Sequence, residues 1–117
     1  MSIINALASV AVKDLNSSIK WYEALLRKAP SRPMPETAEW SFDRGGWLQV
    51  YQLPGRAGSG SFTLAVDNIE EEVARLHKLN IDTSQRTSNE KVKTLMITDP
   101  DGNHIAFAEA RDPSLAR

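Results

Sequence analysis

Ala8-Ser9-Val10-Ala11-Val12-Lys13-Asp14-Leu15 and Phe62-Thr63-Leu64-Ala65-Val66-Asp67-Asn68-Ile69 are one pattern written twice, 54 residues apart. Ala8, Val10 and Val12 fall on Phe62, Leu64 and Val66, and each set alternates with smaller or more polar residues. That period of two predicts a half-buried strand in each copy. A repeat of this length makes the supersecondary unit, and not the whole chain, the object to explain.

Working outward, each strand runs into a polar stop and then a helical pattern. Ile19, Tyr22 and Leu25 recur at three-to-four spacing, and the same offset carries them to Val73, Leu76 and Leu79. Asp14 or Asn16 can cap the first helix, and Asn68 with Glu71 three residues later reads as a capping-box-like pair. Both helices are apolar on one side only, so each must lie on a sheet. Three prolines at 30, 33 and 35 end the first helix and forbid a regular central strand there. Residues 39–43 then alternate as a strand, Arg44-Gly45-Gly46 is a turn, and residues 47–53 are a second strand, which makes a hairpin. Residues 54–60, PGRAGSG, read as a flexible linker. The second copy closes with a strand over 91–98, the turn Asp99-Pro100-Asp101-Gly102-Asn103 and a strand over 104–109. Gly45 now matches Gly102, so the offset has grown to 57. The expected organisation is therefore a first module at 1–54, a linker at 55–60, a second module at 61–109 and a frayed tail at 110–117.

The bulk properties bound the function. The chain has 117 residues, 41% of them apolar, enough for one compact domain or two fused half-domains with a packed core. A formal net charge of −1 provides no pull toward nucleic acid or an anionic membrane surface, so neither is an expected partner. With no cysteine there is no disulfide and no thiolate ligand or nucleophile, which suits a cytoplasmic protein. The apolar start of the chain lacks a basic n-region and passes straight into a strand pattern, so a signal peptide is not expected. No apolar run reaches the roughly 20 residues of a membrane helix.

The stretch Val12-Lys13-Asp14-Leu15-Asn16-Ser17-Ser18-Ile19-Lys20-Trp21-Tyr22 and the turn Asp99-Pro100-Asp101-Gly102-Asn103-His104-Ile105 resemble motifs of the vicinal-oxygen-chelate superfamily. That superfamily includes glyoxalase I, extradiol dioxygenases, fosfomycin-resistance enzymes and bleomycin-resistance proteins. The resemblance covers nearly the whole chain. It implies an α+β fold of two β-α-β-β-β modules, with mixed and mostly antiparallel sheet forming a cup and helices on the convex face. It places a second strand of each module near residues 31–34 and 83–86, where the pattern alone would not. It also implies a homodimer whose modules pair within one chain or swap between two.

Metal-dependent members hold a divalent ion at four positions, which by motif are Leu7, Gln49, Ser61 and Ala106 here. Leu7 and Ala106 have no ligating atom, and Gln49 and Ser61 are neutral oxygen donors. A hard or borderline cation needs several carboxylates or imidazoles. No metal or other cofactor is therefore expected, and metal-dependent glyoxalase, dioxygenase or fosfomycin-transferase activity is not expected either.

Strand parity divides the remaining side chains. Ala8, Val10, Val12, Leu48, Val50, Phe62, Leu64, Val66, Ile105 and Phe107 form the helix-facing set. The opposite face, the expected small-molecule site, carries Leu7, Ser9, Trp47, Gln49, Tyr51, Ser61, Thr63, His104 and Ala106, with apolar walls and a few orienting polar groups. Trp40 and Phe42 share one side of their strand. They either join Trp47 and Tyr51 as an aromatic wall suited to a flat or cationic ligand, or belong to the core or an interface. Met96 is either pocket lining or core filler. His104 and Tyr51 are the candidate acid–base groups if the chain is an enzyme, although no adjacent carboxylate completes a catalytic pair. His77, alone on the second helix, is expected at the surface. The leading expectation is a binding protein like the bleomycin-resistance branch, sequestering an antibiotic or another small organic ligand. A metal-independent lyase or isomerase of the same fold and a non-catalytic structural dimer are the alternatives.

Overall fold

The computed structural model describes residues 2–112 and 114. The chain runs through β1 (Leu7–Val12), α1 (Leu15–Leu26), β2 (Ser31–Met34), β3 (Thr37–Ser41), β4 (Trp47–Gln52), a 3-10 turn at Pro54–Arg56, β5 (Ser61–Ala65), α2 (Ile69–Lys78), β6 (Gln85–Ser88), β7 (Val92–Thr98) and β8 (His104–Ala110). This is β-α-β-β-β twice, an α+β fold. The sheets have the orders β1-β4-β3-β2 and β5-β8-β7-β6. In both, the first strand runs parallel to the last and the other pairs are antiparallel.

Two compact units result. One is the chain up to Gly60 together with Pro100–Asn103, and the other is Ser61–Asp99 with the chain from His104 on. The register repeats between them. Leu7 pairs with Trp47 and Ser9 with Gln49, as Ser61 pairs with His104 and Thr63 with Ala106. Helix starts repeat too. Asp14 accepts from Asn16 N, and Asn68 accepts from Glu70 N and Glu71 N. Each helix has a second cap from the end of its module's last strand: Leu15 N donates to Gln52 Oε1 at 2.9 Å, and Ile69 N donates to Glu109 Oε1 at 2.8 Å. Two of the donors that a helix start leaves over are so satisfied in α1 and three in α2.

The cores follow the predicted parity. Val10, Val12, Leu15, Tyr22, Leu25, Leu48 and Val50 are buried in the first unit, and Phe62, Ile69, Leu76, Leu95, Ile97, Ile105 and Phe107 in the second. Ala8 stays exposed at the strand start, and Leu64 and Val66 are half-buried. Leu79, expected to match Leu25, is 40% exposed. It is the C-cap of α2, and Asn80 behind it takes a left-handed φ of 60°, which asparagine tolerates.

The strand limits differ from expectation in instructive places. β3 starts at Thr37 and not at residue 39. β2, fully exposed and irregular in register, is a sheet edge, the one place where Pro33 does no harm to the ladder. Residues 54–60 are not a featureless linker. Pro54 opens the 3-10 turn, and Gly60 N donates to Asn103 Oδ1 at 2.9 Å. Gly58 has φ +87°, and a Cβ there would stand 2.3 Å from the Asp101 carbonyl oxygen, so only glycine fits. β8 runs one residue into the expected tail, with Ala110 paired to Val92 and Arg111 N bonded to Lys91 O. Of that tail, residues 113 and 115–117 lie outside the described residues.

Candidate functional site

A sheet packed by a helix on one side leaves its other side to be read separately. In the first unit the ladder sets that face in three rows: Leu7–Trp47–Ser41, Ser9–Gln49–Glu39, and Ala11–Tyr51–Thr37. The middle row is hydrogen-bonded across three strands. Ser9 Oγ donates to Gln49 Oε1 at 3.3 Å, and Gln49 Nε2 donates to Glu39 Oε2 at 3.0 Å. Gln49 is thereby held with its amide plane fixed, acceptor toward Ser9 and donor toward Glu39. Trp47 and Tyr51 flank it two residues away on either side, both half-buried. Leu7 is 48% exposed. A groove of about 330 Å³, lined among others by Lys28, Ser31, Glu39, Ser41 and Trp47, opens at this face, near the lower bound for a small-ligand cleft. Lys28 Nζ donates to Ser41 O at 2.7 Å and closes one of its walls.

Trp40 and Phe42, for which the sequence leaves both the pocket wall and the core open, lie on the other side of β3 from Glu39 and Ser41. Trp40 is fully buried, with its Nε1 donating to Lys28 O at 2.8 Å and its ring 5.9 Å from that of Tyr22 on α1. Its ladder partner is Leu48, a core residue. Trp40 is thus a core aromatic whose one polar atom is satisfied, and it also lines the groove beside Lys28 and Ser41. Phe42 follows β3 on Trp40's side by the alternation of the hairpin. It is half-buried, with its N bonded to Gly46 O. In their place the structure presents Glu39 and Ser41, which the sequence reading passed over. The signal was available: Glu39 and Ser41 alternate with Trp40 within the expected strand, but which side each set takes depends on the register across the 44–46 turn.

In the second unit the equivalent face carries Ser61–His104–Thr98, Thr63–Ala106–Met96–Gln85 and Ala65–Ala108–Thr94–Thr87. His104, Ser61 and Thr63 are exposed, while Ala106 and Met96 are half-buried. Met96 stands on this face, and the core positions beside it are Leu95 and Ile97. His77 is exposed on α2. The register thus puts Leu7, Ser9, Trp47, Gln49 and Tyr51 on one face of the first unit, and Ser61, Thr63, Met96, His104 and Ala106 on the corresponding face of the second.

The donor chemistry at Leu7, Gln49, Ser61 and Ala106 does not fit a divalent cation, because two of the four side chains are hydrocarbon and the other two neutral. Among the described residues no three of His, Asp or Glu come together as a cation-binding group.

Residues 3–107 match the model of the Glyoxalase/Bleomycin resistance protein/Dioxygenase superfamily. Among solved structures, a glyoxalase/bleomycin resistance protein from Catenulispora acidiphila DSM 44928 is 28% identical, with a TM-score of 0.81 over 92% of this chain and 99% of that one. TnmS3, an antibiotic binding protein from Streptomyces sp. CB03234, is 22% identical with a TM-score of 0.78, covering 94% and 98% of the two chains. A lactoylglutathione lyase from Agrobacterium tumefaciens is 16% identical with a TM-score of 0.79, covering 99% of each, a likeness of fold alone. No curated protein is significantly similar in sequence.

Proposed function

The chain belongs to the glyoxalase/bleomycin resistance protein/dioxygenase superfamily, and from that premise we propose that it is a metal-independent binding protein for a small organic ligand, of the antibiotic-sequestering kind. The observation that carries this reading is the bonded row Ser9–Gln49–Glu39 between Trp47 and Tyr51. It offers aromatic faces beside a fixed amide and one carboxylate, Glu39, the only acid in those three rows. Such a face suits a planar apolar body carrying a hydrogen-bond donor or a cationic nitrogen, which Trp47 or Tyr51 can stack while Glu39 accepts. The solved antibiotic-binding relative supports the ligand class at the level of fold. Leu7 and Ala106 at the superfamily's ligand positions support metal independence. In the second unit, the corresponding face with Ser61, Thr63, Met96, His104 and Ala106 is included in the proposal as a ligand-contacting face of its own.

The test is a thermal-shift screen of aromatic amines and antibiotics against the purified chain. A ligand at one hundred times its Kd adds about 2.7 kcal/mol of stability. A hit should lose at least tenfold in affinity in Trp47→Ala and in Glu39→Gln. Stabilisation that neither substitution weakens would sink the reading. The homodimer implied by the resemblance and the cytoplasmic location suggested by the absence of cysteine belong to this proposal as well.

A further inference from the structure

At the β6–β7 edge of the second unit's sheet, a groove of about 450 Å³ is lined by Glu70, Arg86, Ser88, Lys93 and Arg111 together with the Thr87–Thr94 pair. Strand parity accounts for the gathering. Arg86 pairs with Leu95 and Ser88 with Lys93, and Leu95 is wholly buried on the α2 side, so Arg86, Ser88 and Lys93 project to that side. Arg111, just past β8, is held by its backbone N on Lys91 O and by its Nη1 on Asn89 O at 3.0 Å. Glu70 in the first turn of α2 pairs with Arg86.

The charge of this groove is at odds with that of the chain. The whole protein carries 14 basic and 15 acidic residues, whereas the groove is lined by three cations and one carboxylate. Among the described residues no carboxylate stands within ion-pair distance of Lys93 or Arg111. Lys93 is nonetheless half-buried. Three cations share the one carboxylate of Glu70 here; the excess like charge repels itself, and a bound anion removes that cost. The start of α2 contributes nothing to such a site, because Ile69 N is taken by Glu109 and Glu70 N and Glu71 N by Asn68. The donors are side chains: two guanidinium groups, one ammonium and the Ser88 hydroxyl. They outnumber what a single carboxylate oxygen pair can accept, and they suit a tetrahedral dianion with several equivalent oxygens.

We propose that this groove is a second binding site, specific for a phosphate group, either free or as the monoester of a small molecule. Glu70 acts in it as a resident competitor for Arg86, set aside when the dianion arrives. The site goes beyond the ligand face of the preceding reading and stands or falls separately from it.

The experiment is a ¹H–¹⁵N titration of the full chain at pH 7.5 and constant ionic strength, with inorganic phosphate, glycerol 2-phosphate and malonate in separate arms. The expected result is saturable shifts at Arg86, Ser88, Lys93 and Arg111. Lys93→Gln and Arg111→Gln should each weaken binding about tenfold, and Glu70→Gln should tighten it severalfold. A merely structural Glu70–Arg86 latch would not produce that tightening. Glycerol 2-phosphate tighter than phosphate identifies a phosphomonoester as the ligand, and equal affinity identifies the free ion. Both uphold the site. Shifts that never saturate, indifference to Lys93→Gln and Arg111→Gln, unchanged or weakened binding in Glu70→Gln, or malonate binding as tightly as phosphate would overturn it.

Discussion

Asn103 is wholly buried in the first unit and uses both ends of its amide: Nδ2 donates to Ala11 O at 2.8 Å, and Oδ1 accepts from Gly60 N at 2.9 Å. It pins β1 and the stretch before β5 to one point. Asn103→Ala should cost about 2–4 kcal/mol, since two bonds go and two backbone groups are left without their partners. Asn103→Asp keeps the acceptor but buries a carboxylate against the Ala11 carbonyl oxygen, and should cost at least as much near neutral pH; urea unfolding of the three proteins checks the order. The two tryptophans of the hairpin make a second contrast. Trp40→Ala should destabilise by about 3–5 kcal/mol as a core truncation. Trp47→Ala, on the opposite face and half-exposed, should cost under about 1 kcal/mol and act on ligand affinity instead. Equal losses in the two would refute the parity. At the surface, Asp82 is held below the usual carboxylate range by the Ser84 hydroxyl and then the Ser84 backbone N–H. Its small contribution to stability is therefore present above the ordinary aspartate value and lost as pH falls through the lowered one. A carboxyl-detected NMR titration should find Asp82 titrating below the ordinary aspartate value, and a Ser84→Ala chain should move it back up.

At the scale of the element, the two helices show how local signals and tertiary ones divide the work. Asp14 and Asn68 are caps that the sequence announces, because each short polar side chain precedes an apolar helical pattern. Gln52 and Glu109 are caps it does not announce, since they are remote in sequence from the helices they serve. Gln52→Leu and Glu109→Leu should each cost about 0.5–2 kcal/mol, within the range for a lost cap, while Glu109→Gln keeps the accepting oxygen and should cost less. Chemical denaturation separates these outcomes, and a neutral Glu109→Leu would show that the bond is incidental. The β3 strand makes the opposite point. Its register is fixed by the turn. Gly45, at φ +94°, allows Phe42 N to bond Gly46 O, which leaves Ser41 opposite Trp47 and Glu39 opposite Gln49. A shift of one residue would have buried Glu39 and exposed Trp40.

For the whole molecule, two modules with the same register carry different chemistry at equivalent places. Gln49 and Glu39 in the first correspond to Ala106 and Met96 in the second, so the polar network exists in one copy only. On the proposed function, the melting temperature of the chain should not move with Zn²⁺, Ni²⁺ or EDTA. A rise with metal that chelator reverses would overturn metal independence. Light scattering behind size exclusion should find twice the chain mass, and a strict monomer would remove the homodimer from the proposal.

The sequence by itself determined the repeat, the module order and the sides of most strands. Alternation, helical spacing and cap residues are local properties, and the same local pattern recurs at offset 54. It also determined the chemistry at Leu7, Gln49, Ser61 and Ala106, since a side chain's donor atoms do not depend on the fold. Only the tertiary structure decided that Trp40 is core and Glu39 faces out, because a strand's parity is set by its partner's register, and the sequence of the 44–46 turn does not fix that register. Only the structure brought Arg86, Lys93 and Arg111 together beside Glu70. Their spacing in the chain carries no signal, and the pairing of β6 with β7 and the docking of α2 put like charges where solvent alone would have kept them apart.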